Sequence, residues 1–155
     1  MRRACALVVV SLASMLAQAA PSTFGPVIGS AILCRSHLDN AYFYSYLSSA
    51  FGPSYKHEGG AYWFKADGNL WGAPVTDVLV SDDTSDIVFV GAVSEIEPDQ
   101  LAAAIRTAVG VRHDAVDQSQ YPVRLSRPGS TIVYYKAKSK IYCAKYKPLP
   151  ILPAR

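Results

Sequence analysis

The chain has 155 residues, half of them hydrophobic and 17% charged, with a formal net charge of +3. That size suits one domain with a proper core. It carries no apolar run beyond its first twenty residues long enough for a helix to span a bilayer, so a mature protein held by membrane-spanning helices is not expected.

Met1-Arg2-Arg3 is a short basic start, Ala4 to Leu16 is apolar apart from small serines, and Ala17-Gln18-Ala19 has the small-x-small form of a leader cleavage site. Residues 1–19 therefore read as a secretory signal peptide cut near Ala19, and the protein is expected in the periplasm or medium. Residues 20–33, with Pro21, Gly25 and Pro26, read as a loose lead-in to a single domain over 34–147. Cys5 leaves with the leader. Cys34 and Cys143 remain, and an even count in an oxidising compartment predicts a disulfide, with two free thiols as the alternative. Two distant cysteines are too few for a metal site.

Ser36 is placed to cap the first helix, with Asp39 near its positive end and Gly52-Pro53 as its stop. Tyr42, Tyr44 and Tyr46 alternate as a strand would. On a helical wheel, however, Phe43, Leu47 and Ala50 form one face, flanked by Tyr46 and Phe51, with Ser45, Ser48 and Ser49 opposite. The helix is the cleaner solution. Its tyrosines then border the core, apolar rings inward and hydroxyls toward water.

Strands follow over 60–66 and 76–81, with a hairpin turn expected at Asp67-Gly68-Asn69. The run "SDDTSD", Ser81 to Asp86, reads as a solvated turn, since it lacks the glycine and distal glutamate of a calcium loop. "DIVFVGAV", 86–93, is apolar at both parities and predicts a central strand covered on both faces. "EPDQLAAAIRTAVG" predicts a second helix, with Pro98 in its first turn and Gly110 at its end. After a polar stretch come "PVRLS" and a hairpin over 130–146 turning near Ser139. A Pro-rich tail covers 148–155. The order predicts an α+β fold: an antiparallel sheet of about five to seven strands with two helices on one face.

The charge is divided along the chain. Glu58 to Asp117 holds eleven acidic and three basic residues, net −8, whereas Arg124 to Arg155 holds eight basic residues and no acidic one. In the final hairpin Lys136, Lys138 and Lys140 share a parity with Tyr134 and Tyr142, and Lys145 extends the run. Lysines interleaved with tyrosines suit an anionic polymer or an acidic protein; the same lysines also keep an edge from pairing with other chains.

The leading functional expectation is a small exported, non-catalytic interaction protein of the cell envelope. It would use Tyr134, Lys136, Lys138, Lys140, Tyr142 and Lys145 to contact an anionic or protein partner, with no cofactor. The alternative is a small secreted hydrolase built on His57 and Glu58 with His113 and Asp114, which requires those two loops to meet. No G-x-S-x-G, HExxH, CxxC or glycine-rich phosphate loop occurs. No motif specific to nucleic acid is present either.

Overall fold

Apolar alternation along the middle of the chain folds into one sheet. A computed structural model describes residues 19–148; the leader expected over 1–19, apart from Ala19, and the tail beyond Pro148 lie outside them. The fold is α+β. Eight strands run β1 (Lys56–Glu58), β2 (Ala61–Leu70), β3 (Ala73–Ser81), β4 (Ile87–Ser94), β5 (His113–Ala115), β6 (Arg124–Ser126), β7 (Thr131–Tyr135) and β8 (Lys138–Tyr146). Their spatial order is β1-β2-β3-β4-β8-β7-β6-β5, with every pairing antiparallel. The expected five to seven strands become eight because β1 and β5, the two edges, are three residues long. A strand so short carries no readable alternation.

Three helices, not two, pack on one face: α1 (Ser30–Ile32), α2 (Asn40–Phe51) and α3 (Pro98–Val109). The additional one arises from the supposed lead-in. A π-helical turn, Gly25–Gly29, runs directly into α1, and Phe24, Ile28, Ile32 and Leu33 are all buried. Phe24, Ile28 and Ile32 are spaced four apart, the spacing of one helical face. Pro26 sits in the first turn, where its missing N–H breaks no bond. The Phe24 ring lies over Gly68, where a Cβ would come within 2.9 Å of it.

That contact also explains why Asp67-Gly68-Asn69 is not the hairpin turn. β2 continues through it with a register shift between Lys65 and Gly68, and the chain reverses at Trp71-Gly72 instead. Both residues have positive φ, 57° and 83°, as a two-residue type I′ turn requires.

α2 is capped by Asp39 rather than Ser36. The Asp39 carboxylate accepts from the Tyr42 N–H at 3.0 Å, and Gly52 ends the helix with φ 83°. Phe43 and Leu47 are buried, Tyr42 is exposed, and Tyr44 meets Tyr62 and Phe64 edge-on at 4.7 and 5.6 Å. Burial of one such side chain stabilises the fold by ~1.5–3 kcal/mol. α3 opens with a Glu97/Gln100 capping box and closes at left-handed Gly110, and it buries Leu101 and Ile105. Under the helices lie Phe64, Val78, Val80, Val90, Ala92, Ile132 and Ile141.

Cys34 and Cys143 form the predicted disulfide, with Cα atoms 5.3 Å apart. It joins the end of α1 to β8, a strand in the middle of the sheet, across 109 residues. In the chain-entropy account a loop of that length contributes up to ~4–5 kcal/mol.

Candidate binding face

The sheet has a second face that no helix among the described residues covers. The register places Lys56 of β1, Ala61, Trp63 and Lys65 of β2, Asp77 and Leu79 of β3, and Gly91 and Val93 of β4 on it. Lys138, Lys140 and Tyr142 of β8 join them, opposite Tyr135, Val133 and Thr131 of β7. Ala61, Trp63, Leu79 and Val93 form a small apolar cluster there, bordered by Phe89 and Tyr135.

Trp63 is only 8% exposed within this cluster. Its ring lies 6.4 Å from that of Tyr135. β2 and β7 are four steps apart in the sheet, about 19 Å if it were flat. The sheet therefore curls over this face and brings Trp63 toward the β7–β8 turn. At Gly91 the strands press close: a Cβ would stand 2.8 Å from the Ile141 carbonyl oxygen and 2.9 Å from the Tyr142 Cβ.

Lysines roof the concavity. Lys56 Nζ lies 4.6 Å and Lys140 Nζ 5.2 Å from the centre of the Trp63 ring, and Lys140 Nζ is 4.4 Å from the Tyr135 ring. Their aliphatic stems cover the apolar cluster while the charges meet the ring faces. The Trp63 indole N–H donates to the Glu58 carbonyl at 3.2 Å. Three of the face's lysines have carboxylate partners: Lys56 with Glu58 at 2.7 Å, Lys65 with Asp77 at 2.8 Å, and Lys138 with Glu95. Lys140 has none among the described residues. Partial burial lowers its pKa from the usual ammonium value, and the nearby charge of Lys56 adds to the shift.

The six hairpin residues singled out in the sequence divide. Lys138, Lys140 and Tyr142 share the concave face. Lys136 occupies the turn, with φ 57° and its Nζ 5.8 Å from the Tyr135 ring. Tyr134 and Lys145 point to the other side. The chain reverses at Lys136-Ala137, not near Ser139, so odd-numbered Tyr135 pairs with even-numbered Lys138 and the parity flips across the turn. Tyr134 instead meets Tyr121 at 5.0 Å and faces the Arg124 guanidinium at 5.8 Å. Ser139 is buried, its hydroxyl donating to the Ile96 carbonyl. Lys56, Trp63 and Tyr135 were missed because no local pattern shows which distant strand will curl beside the hairpin.

The two histidines have separate hydrogen-bond partners, Asp82 for His57 and Ser130 for His113. His57 is in β1 and His113 in β5, the opposite edges of the strand order. His57 stacks on Tyr62 at 4.2 Å, and its Nε2 is 2.7 Å from Asp82. The Asp82 carboxyl is held down to about 2 by hydrogen bonds from Thr84 and then His57. Asp83 binds Asn40 and Lys147 instead, so the carboxylates of the acidic turn serve separate partners. Glu58 pairs with Lys56, and Asp114 with Arg112 at 3.1 Å. His113 is buried: its Nε2 is 2.8 Å from Ser130 Oγ, which is 2.7 Å from Ser126 Oγ. Burial pushes its pKa down to about 4, leaving a neutral ring. Ser130 is wholly buried, out of reach of a substrate. Among the described residues, no three His, Cys, Asp or Glu side chains gather closely enough to hold a metal ion.

Comparison with protein-family models, with curated proteins and with solved structures found no match.

Proposed function

We propose that the protein is an exported, non-catalytic binding module that holds an anionic polymer of the cell envelope on its concave face. Lys140 carries the reading. It is an ammonium without a carboxylate partner among the described residues, set against the Trp63 and Tyr135 rings. An anion meeting it there gains charge pairing in partly dehydrated surroundings, and the flanking rings supply stacking surface. Lys138 and Lys56, both part-exposed, extend the same row and can exchange their present carboxylates for a polymer's charges. Export is supported by the basic, apolar start of the chain and by the disulfide. No helix among the described residues is long and apolar enough to cross a membrane.

The test uses the oxidised mature chain and two polyanion probes, a sulfated polysaccharide and a long-chain polyphosphate, titrated at several salt concentrations. Binding should weaken linearly in log–log form with added salt. Lys138→Glu combined with Lys140→Glu should lower affinity by ~10–100-fold at low salt. Equal affinity in wild type and double variant, with both folded, discards the face as the site. N-terminal sequencing of protein recovered outside the cytoplasm should begin near Ala20.

A further inference from the structure

Three arginines from three loops, none of them on the concave face, line a single cavity of about 400 Å³. These are Arg35 after α1, Arg112 between α3 and β5, and Arg127 in the β6–β7 turn; Gly110, Val111, Asp114 and Pro128 complete the wall. All three arginines are exposed. Against three guanidiniums the lining offers one carboxylate, Asp114, a local balance of +2. Arg106 stands in an adjoining hollow that shares Arg112 and Asp114, which makes the surroundings more positive still.

The arginines are only lightly engaged. A guanidinium has five N–H donors. Arg35 gives one bond to the Val109 carbonyl at 3.3 Å, and Arg112 one to Asp114 at 3.1 Å. Arg127 forms no ion pair among the described residues. Like charges gathered with so few partners repel, and the arrangement is stabilised by whatever anion enters it.

The backbone that carries them is firmly held. Arg35 follows Cys34, which is fixed by its disulfide. The turn bearing Arg127 is closed by Gly129 N–H to the Ser126 carbonyl at 3.0 Å and by Ser130 N–H to Ser126 Oγ at 3.0 Å. Buried Ser130 is held in turn by His113, the neighbour of Arg112. Gly129, at φ 108°, lies so close to the disulfide that a Cβ there would stand 3.7 Å from Cys34 Sγ. The disulfide and the His113–Ser130–Ser126 chain thus fix all three loops relative to one another. Such preorganisation lowers the ordering cost of binding.

We propose that this cavity is a binding site for a phosphate-bearing ligand. Guanidinium forks match the paired oxygens of phosphate. A dianion neutralises the local +2, and the volume leaves room for an organic group attached to the phosphate. The site is independent of the polymer face. His113 acts as a positioning residue that holds the Arg127 turn.

Calorimetric titration of the oxidised mature chain with pyrophosphate and with glycerol 3-phosphate tests the proposal, alongside co-sedimentation with vesicles containing phosphatidic acid. Saturable binding of a soluble probe supports a free phosphate ligand; binding to the vesicles alone supports a lipid headgroup. In either case Arg112→Glu with Arg127→Glu should weaken binding at least tenfold. Arg127→Lys, which keeps the charge and loses the fork, should weaken it by less. These positions are exposed, so thermal midpoints without ligand should stay within about 2 °C of wild type, which separates loss of the site from loss of the fold. Lys138→Glu with Lys140→Glu should leave pyrophosphate binding unchanged, so failure here and failure at the polymer face can be told apart. Absence of binding to all three probes, or affinity unaltered by the double arginine reversal, overturns the proposal.

Discussion

One sheet hides apolar side chains on both of its faces, by two different means. On the first face, Phe24, Ile28, Ile32, Phe43, Leu47, Leu101 and Ile105 come down from helices and interlock with the strands. On the second, Trp63, Leu79 and Val93 are covered by curvature and by lysine stems. The first cover is bonded into the backbone, and its helices are closed by caps and a disulfide. The second is made of flexible side chains whose charged ends remain near water. A cover of the first kind fixes the fold. A cover of the second kind can shift by rotamer changes alone, so it suits a surface that must admit a partner.

The contrast predicts unequal costs of substitution. Phe24→Ala should have the largest effect, ~3–5 kcal/mol in urea unfolding, because it empties a helix-side site that cannot close over the bulge at Gly68. Next, Cys34→Ser with Cys143→Ser should cost ~2–5 kcal/mol, and reductant should no longer change the thermal midpoint of that variant.

Acid should act on the helix side through His113. Its pKa is about 4 in the folded chain against 6.5 for a free histidine, so between those values the unfolded chain binds more protons. Stability should therefore fall as pH drops from 6.5 toward 4, by up to ~3 kcal/mol. Asp82 acts with the same sign in a lower window. Its contribution is complete above about pH 4 and is lost only as pH falls toward 2. Unfolding curves at pH 7.5, 5.5 and 4 should show a slope in wild type that His113→Asn flattens.

The smallest expected effect is on the lysine-covered side. Lys140→Met keeps the stem over Trp63 and removes only the charge, so it should change stability by less than ~1 kcal/mol while weakening polyanion binding. A cost for Lys140→Met as large as that for Phe24→Ala would erase the distinction between the two faces.

Much of the helix-covered side was legible in the sequence. The spacing of Phe43 and Leu47, the ends of α3, the two-sided apolar run of β4 and the cysteine pair are all signals within one segment or of one residue type. The π-helical turn was not legible, because Gly25, Pro26 and Gly29 disguise the spacing of Phe24, Ile28 and Ile32. Nor was the hairpin at Trp71-Gly72. Asp67-Gly68 is the better turn sequence by local chemistry, but packing under Phe24 claims Gly68 for a bulge. The candidate binding face was half legible. Lys138, Lys140 and Tyr142 alternate visibly, whereas Lys56, Trp63 and Tyr135 reach them only through the curl of the sheet. The arginine cavity draws on three loops far apart in sequence, and no spacing announces it.

The place of β8 has a consequence for how the chain matures. Among the described strands it is the last in the chain, yet it lies between β4 and β7 and is the one that joins the two halves of the sheet. A nascent chain lacking residues 138–146 has two half-sheets with no common edge and one sulfur without its mate. Such long-range closure slows folding compared with a fold of local contacts. Completion of the sheet therefore waits for this stretch to arrive.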